Sequence, residues 1–172
     1  MWKRAERYPL KPPLAQINDP QNLPAGVRLL SRIQDTQVPS GEHYLFFANE
    51  GGLSILHACE RPSGGYLYEQ SDFPQRFLDW FAPALRDFRK PSGQGTSSRL
   101  SAPVQEVGGE MLTLERGMAV GGEGEPGYIV NNWSRKRVLP GLGDHFMPMN
   151  VAWSERFLFQ GGLLRLLGEI RL

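Results

Sequence analysis

HYLFFANEGGLSILHACERPSGGYLYEQ, residues 43–70, places two glycine pairs between three runs of strand-forming residues. Tyr44 to Ala48 is compact and β-prone, and Asn49-Glu50-Gly51-Gly52 supplies residues that tolerate positive φ. Leu53 to Cys59 then resumes as a strand, which makes the first half a hairpin. Arg61-Pro62-Ser63-Gly64-Gly65 is a second turn of the same kind, and Tyr66-Leu67-Tyr68 continues the sheet. Three sequential antiparallel strands are the simplest reading. The glycines are thereby explained as turns and the aromatics as sheet packing, which leaves His57 and Cys59 as neighbours on one strand face.

The clearest helix follows, in SDFPQRFLDWFAPALRDFRK, residues 71–90. Ser71 or Asp72 is the expected N-cap and Pro74 sits in the first turn, where its missing N–H costs nothing. Phe73, Phe77, Trp80 and Phe81 fall on one helical face, which a sheet must cover. Pro83 lacks the donor of an internal turn, so the helix is expected to end or kink there. PSGQGTSS, residues 91–98, has linker composition and reads as a flexible loop.

Outward from this centre the chain alternates strands and turns. Residues 1–24 carry Pro9, Pro12, Pro13, Pro20 and Pro24 and read as an extended arm laid over the domain. VRLLSRI, from Val27 to Ile33, fits a short helix or a strand, and pattern alone does not separate them. MLTLERGMAV and YIVNNW flank Gly121-Gly122-Glu123-Gly124-Glu125-Pro126-Gly127 as another hairpin. SRKRVLPGLGD reads as a basic, turn-rich connection and FMPMNVAW as a strand interrupted by Pro148. SERFLFQGGLLRLLGEI reads as a final helix, capped by Ser154 and weakened by Gly161-Gly162. RFL occurs at 76–78 and again at 156–158, but the flanking residues drift out of alignment within a turn, so chance is favoured over duplication. The expectation is one α+β domain spanning residues 1–172, an antiparallel sheet of hairpins packed on a central aromatic helix and a C-terminal helix.

Composition narrows the chemistry. A chain of 172 residues with 40% hydrophobic and 22% charged residues is that of a soluble globular protein, able to bury roughly 70% of its unfolded surface. Nineteen basic and eighteen acidic residues give a formal charge of +1, so no overall field collects nucleic acid or anionic lipid. No stretch approaches the roughly 20 apolar residues of a membrane span. The start, MWKRAERYPLKPP, has no apolar core of signal-peptide length, and the lone Cys59 forms no internal disulfide. These point to the cytoplasm.

His57 and Cys59 are the most tempting nucleophile and base, because a thiol needs a neighbouring base or positive charge to become a thiolate. A triad normally draws its members from separate elements, so packing is favoured and the chain reads as non-catalytic. The sequence has no HExxH, CxxC or DxDxDG, and neither a metal nor a cofactor is expected. GGEGEPG lacks the Lys-Ser/Thr of a phosphate loop and carries two repelling carboxylates. It is read as a hairpin tip, with Glu123 and Glu125 as partner-contact candidates. Trp133 with Arg135, Lys136 and Arg137 has the ingredients of nucleic-acid contact, but three charges are too few. The stretch is therefore read first as a solvated turn with the tryptophan in the core, and these four are carried as protein-partner candidates.

Residues 45–82, LFFANEGGLSILHACERPSGGYLYEQSDFPQRFLDWFA, run aromatic strand, acidic Gly-Gly turn, strand, turn, Gly-aromatic strand, then Ser-x-Phe opening an aromatic helix. That order resembles the SUKH superfamily. The resemblance implies a non-catalytic α+β domain, and many bacterial members resemble immunity proteins that bind and silence a cognate toxin. The expected function is therefore toxin or effector neutralisation through a protein partner. The alternatives are a small enzyme using Cys59 and His57, or a structural or regulatory subunit of a larger phage or secretion assembly.

Overall fold

The computed structural model describes residues 6–38, 41–90, 100–121, 124–138, 141, 143 and 145–172. The proposed flexible loop at 91–98 lies outside the described residues. The chain folds as α+β, with β1 (Val27–Gln34), β2 (His43–Asn49), β3 (Gly52–Glu60) and β4 (Tyr66–Pro74) leading into α1 (Phe77–Phe88). β5 (Gln105–Val107), β6 (Glu110–Gly117), β7 (Gly127–Lys136) and β8 (Pro148–Ser154) lead into α2 (Glu155–Phe159) and α3 (Leu163–Glu169). The strands make two antiparallel sheets of four, each in sequence order.

The predicted hairpin of residues 44–59 forms as read. Glu50 and Gly51 take φ of 50° and 78°, the paired positive values of a two-residue turn whose twist matches its strands. Because successive strand residues point to opposite faces, β2 serves two cores. Tyr44 and Phe46 join Leu53, Ile55 and Phe73 in the main core, which also takes in Leu112, Tyr128, Val130 and Trp153 of the second sheet. Leu45 and Phe47 face the other way, onto Val27, Leu56 and Ile17. Ile17 belongs to the N-terminal segment that precedes β1. Its backbone is tied down by Lys11 N–H donating to the Ser134 carbonyl and Ile17 N–H to Gln70 Oε1.

Several boundaries differ from the sequence reading. Ser71 and Asp72 are strand residues rather than helix caps, because the β3 ladder continues through Ile55–Ser71 and Leu53–Phe73 to Gly52–Pro74. α1 therefore starts at Phe77, and it runs through Pro83 to Phe88. Its buried face of Phe77, Phe81, Leu85 and Phe88 supplies the apolar packing that outweighs one lost helical hydrogen bond. Val27 to Ile33 is strand. Pro148 opens β8 rather than interrupting it, a position where its missing donor is tolerated. Ser154 caps α2 as expected, accepting from Phe157 N–H at 3.1 Å. The C-terminal helix is two short helices, broken where Gly162 turns left-handed at φ 86°.

The two halves repeat one plan of four antiparallel strands followed by a helix. Gly52 opens β3 opposite Pro74, and Gly127 opens β7 opposite Ser154. Leu53 faces Phe73 as Tyr128 faces Trp153, and Phe46 faces Ile55 as Leu114 faces Val130. The two RFL tripeptides occupy the same place in this plan, each beginning two residues after its Pro74 or Ser154. Structure thus gives the tripeptides an equivalence that flanking sequence hides.

Candidate functional site

A cleft of about 340 Å³ opens between the two sheets, walled by Tyr44, Ile55, His57 and Glu69 on one side and by Val120 and Asn150 on the other. Glu42 stands at its edge. The turn at Glu50-Gly51 fixes the β2–β3 register so that His43 faces Ala58 and Tyr44 faces His57. One step further back, that register carries Glu42 to the level of Cys59. Three chemically capable side chains therefore meet, with their nearest polar atoms all within 4.8 Å of one another. His57 Nε2 lies 3.5 Å from Glu42 Oε2, and Cys59 Sγ lies 3.6 Å from the imidazole nitrogens.

The imidazole is held in place. Tyr44 stacks on it at 4.5 Å between centroids and 6° between planes, and Tyr44 is itself wedged against Trp153 and Phe157. Glu69 faces His57 across β3 and β4, where its carboxylate accepts from Arg137 at 2.6 Å. Arg137 also donates to Ser71 Oγ at 2.7 Å and to the Asn150 carbonyl at 2.9 Å, so one guanidinium joins the facing edges of the two sheets.

Two carboxylates face the cleft, Glu42 beside His57 and Glu69 paired with Arg137. Burial pushes the Cys59 thiol up, and the Glu42 and Glu69 carboxylates push it further. The Tyr44 phenol is raised the same way, by burial first and then by Glu42 and its neighbours. A thiol in this setting stays protonated near neutral pH and is a poor nucleophile. The arrangement suits a cationic guest better than acyl or phosphoryl transfer.

The residues singled out for partner contact are dispersed. Glu123 lies outside the described residues. Glu125 is half-buried and accepts from Arg156 Nε at 3.4 Å, while the same guanidinium grips both oxygens of Asp35 at 3.0 and 3.1 Å. The basic stretch is not a solvated turn but the end of β7 and the residue after it. Trp133 is buried, donating to Thr113 Oγ1 at 2.8 Å and packing on Phe146. Arg135 is buried in an ion pair with Glu110 and donates to the Pro12 carbonyl at 3.0 Å. Arg137 is 3% exposed. These side chains hold the fold, and only Lys136 of the basic cluster is half-open to solvent. Sequence reading missed Glu42 and Glu69, which only the strand register brings beside His57.

Comparison of the chain with protein-family models, with curated proteins and with solved structures finds no match. Among the described residues, no helix is long and apolar enough to cross a membrane.

Proposed function

We propose that the chain is a non-catalytic binding protein that occludes a protein partner, in the way an immunity protein silences a toxin in the bacterial cytoplasm. The observation that supports this reading is the cleft's charge: Glu42, in no arginine ion pair among the described residues, and Glu69, held by Arg137, face a thiol that burial first and these carboxylates second keep protonated. Such a cleft receives a lysine or arginine of a partner, and complementary charge of this kind sets orientation and on-rate. Tyr66 and Leu67, both exposed at the start of β4, add apolar contact of the sort that anchors an interface. The strand and turn order of residues 45–82, with its SUKH resemblance, agrees with this reading.

The test is coexpression with the product of the adjacent gene. A stoichiometric complex that relieves toxicity and is weakened at least tenfold by Glu42→Arg is the expected result. Failure of the wild-type chain to bind or to relieve toxicity rejects the partner, and unchanged binding by Glu42→Arg rejects the cleft. Alkylation of Cys59 by iodoacetamide in the folded protein is expected to be slower than that of a free cysteine. Fast alkylation would instead favour the enzyme alternative.

A further inference from the structure

We propose that Glu42, His57 and Cys59 form a zinc site at the edge of the inter-sheet cleft. The inference is independent of the partner reading, since it concerns the isolated chain.

Spacing carries the first part of the argument. Bonds of about 2.0–2.2 Å from zinc to nitrogen or oxygen and about 2.3 Å to sulfur, set at tetrahedral angles, place ligand atoms about 3.4–3.6 Å apart. His57 Nε2 and Glu42 Oε2 are 3.5 Å apart, which meets this spacing, and all three ligand atoms lie within 4.8 Å of one another. Cys59 Sγ is 3.6 Å from both imidazole nitrogens and so lies over the ring face, and a rotation of the cysteine about χ1 is the adjustment that brings its sulfur to the metal. The ligand set of thiolate, imidazole and carboxylate suits zinc and excludes the all-oxygen preference of magnesium and calcium. Glu42 and His57 line the cleft, so a water or an incoming group can complete the fourth position.

The repeated plan of the fold supplies an independent observation. Glu42, His57 and Cys59 correspond by strand register to Glu110, Asn132 and Ser134 in the second half. There the glutamate is neutralised by Arg135 and accepts from Asn132 Nδ2 at 2.9 Å. Ser134 Oγ accepts from Met111 N–H, and its carbonyl accepts from Lys11 of the arm. The second half is thus closed by an arginine and covered by the arm, with a non-ligating amide and hydroxyl at the two matching positions. Packing of this fold does not by itself call for histidine and cysteine, and the half that has them leaves its glutamate without an arginine in any ion pair seen among the described residues.

Support around the ligands is present as well. Tyr44 fixes the imidazole plane, which is the role that neighbouring groups commonly play for a metal-bound histidine. Binding forms a zinc–sulfur bond and releases the thiol proton to solvent, so the carboxylates that oppose a bare thiolate favour the neutralised metal complex.

The full chain, stripped with chelator, is titrated with zinc chloride by calorimetry and native mass spectrometry, and with cobalt chloride by absorption. One zinc per chain, a thiolate-to-cobalt charge-transfer band and a raised Tm with zinc are expected. Cys59→Ala and His57→Ala should each weaken zinc binding at least tenfold, and Cys59→Ala should abolish the band, with circular dichroism confirming the fold. Cys59→Ser replaces either variant that fails to fold. Glu125→Gln should change nothing. Absence of stoichiometric zinc overturns the proposal. So does zinc binding that survives Cys59→Ala or Cys59→Ser, which means an adventitious ion only.

Discussion

Phe73 and Trp153 occupy the same register position in the two halves of the molecule, Phe73 opposite Leu53 and Trp153 opposite Tyr128. Both are essentially without exposure and both belong to the one core that joins the sheets. Their rings meet the first helix from two directions, Phe73 at 4.7 Å from Phe77 and Trp153 at 5.5 Å from Phe81. Phe73→Ala and Trp153→Ala should therefore each cost about 3–5 kcal/mol. The indole Nε1–H of Trp153 finds no acceptor among the described residues, so Trp153→Phe removes a buried unpaired donor along with ring volume. Those effects oppose each other, and Trp153→Phe should cost less than about 2 kcal/mol. Urea unfolding measures all three. A shared core also predicts one cooperative transition, and two separate transitions would contradict it.

The matching glycines differ in how closely they are enclosed. A Cβ at Gly127 would fall onto the Trp153 carbonyl and within 2.9 Å of Ser154 Cα, while at Gly52 the nearest neighbours lie at 3.1 Å and one is the flexible end of Leu14. Backbone cannot yield as a leucine tip can. Gly127→Ala is expected to destabilise by about 2–3 kcal/mol and Gly52→Ala by distinctly less, a ranking that chemical denaturation of the two variants checks directly.

Adjacent basic residues should behave as opposites. Arg137→Ala strips the donor from Ser71 Oγ, the Asn150 carbonyl and the Glu69 carboxylate at once. Removing one side of a buried, hydrogen-bonded charge is expected to cost about 3 kcal/mol. Lys136, half-open to solvent, should tolerate alanine within about 0.5 kcal/mol. Equal effects for the two would show that Arg137 does not join the sheets as described.

What could be read in advance follows the range of the interactions. The β2–β3 hairpin was legible because its turn chemistry sits within four consecutive residues, and the Ser154 cap because it reaches only to Phe157. The start of α1 was misread because Ser71 to Pro74 are claimed by a ladder to β3 that no local pattern announces. Arg135 and Arg137 look like a solvated cluster in one dimension, yet their partners Glu110 and Ser71 are 25 and 66 residues away. The site was half visible. His57 and Cys59 are adjacent on a strand, whereas Glu42 reaches them only through register and Glu69 only through the next strand.

Asp72 gives the protein a pH dependence with a definite sign. Its carboxyl is enclosed, with Oδ1 accepting from Ser54 Oγ at 2.6 Å and Gln70 Nε2 at 2.8 Å and Oδ2 without a partner among the described residues. Burial pushes the group above the ordinary carboxylate range, outweighing those two hydrogen bonds and the Arg135 charge. The folded chain therefore holds the Asp72 proton more tightly than the unfolded chain does. Its contribution to stability is fully present below the unfolded carboxylate value and is lost as pH rises through the higher folded value. Asp72→Asn carries no titrating proton and lacks this contribution at every pH. The unfolding free energy of the wild type minus that of Asp72→Asn should thus fall as pH is raised from about 4 toward neutrality. Taking the difference cancels the other carboxylates, which titrate in both proteins. Urea titrations of the pair across that range measure it, and a difference that stays flat or rises with pH would show that Asp72 is ionised in the folded chain throughout.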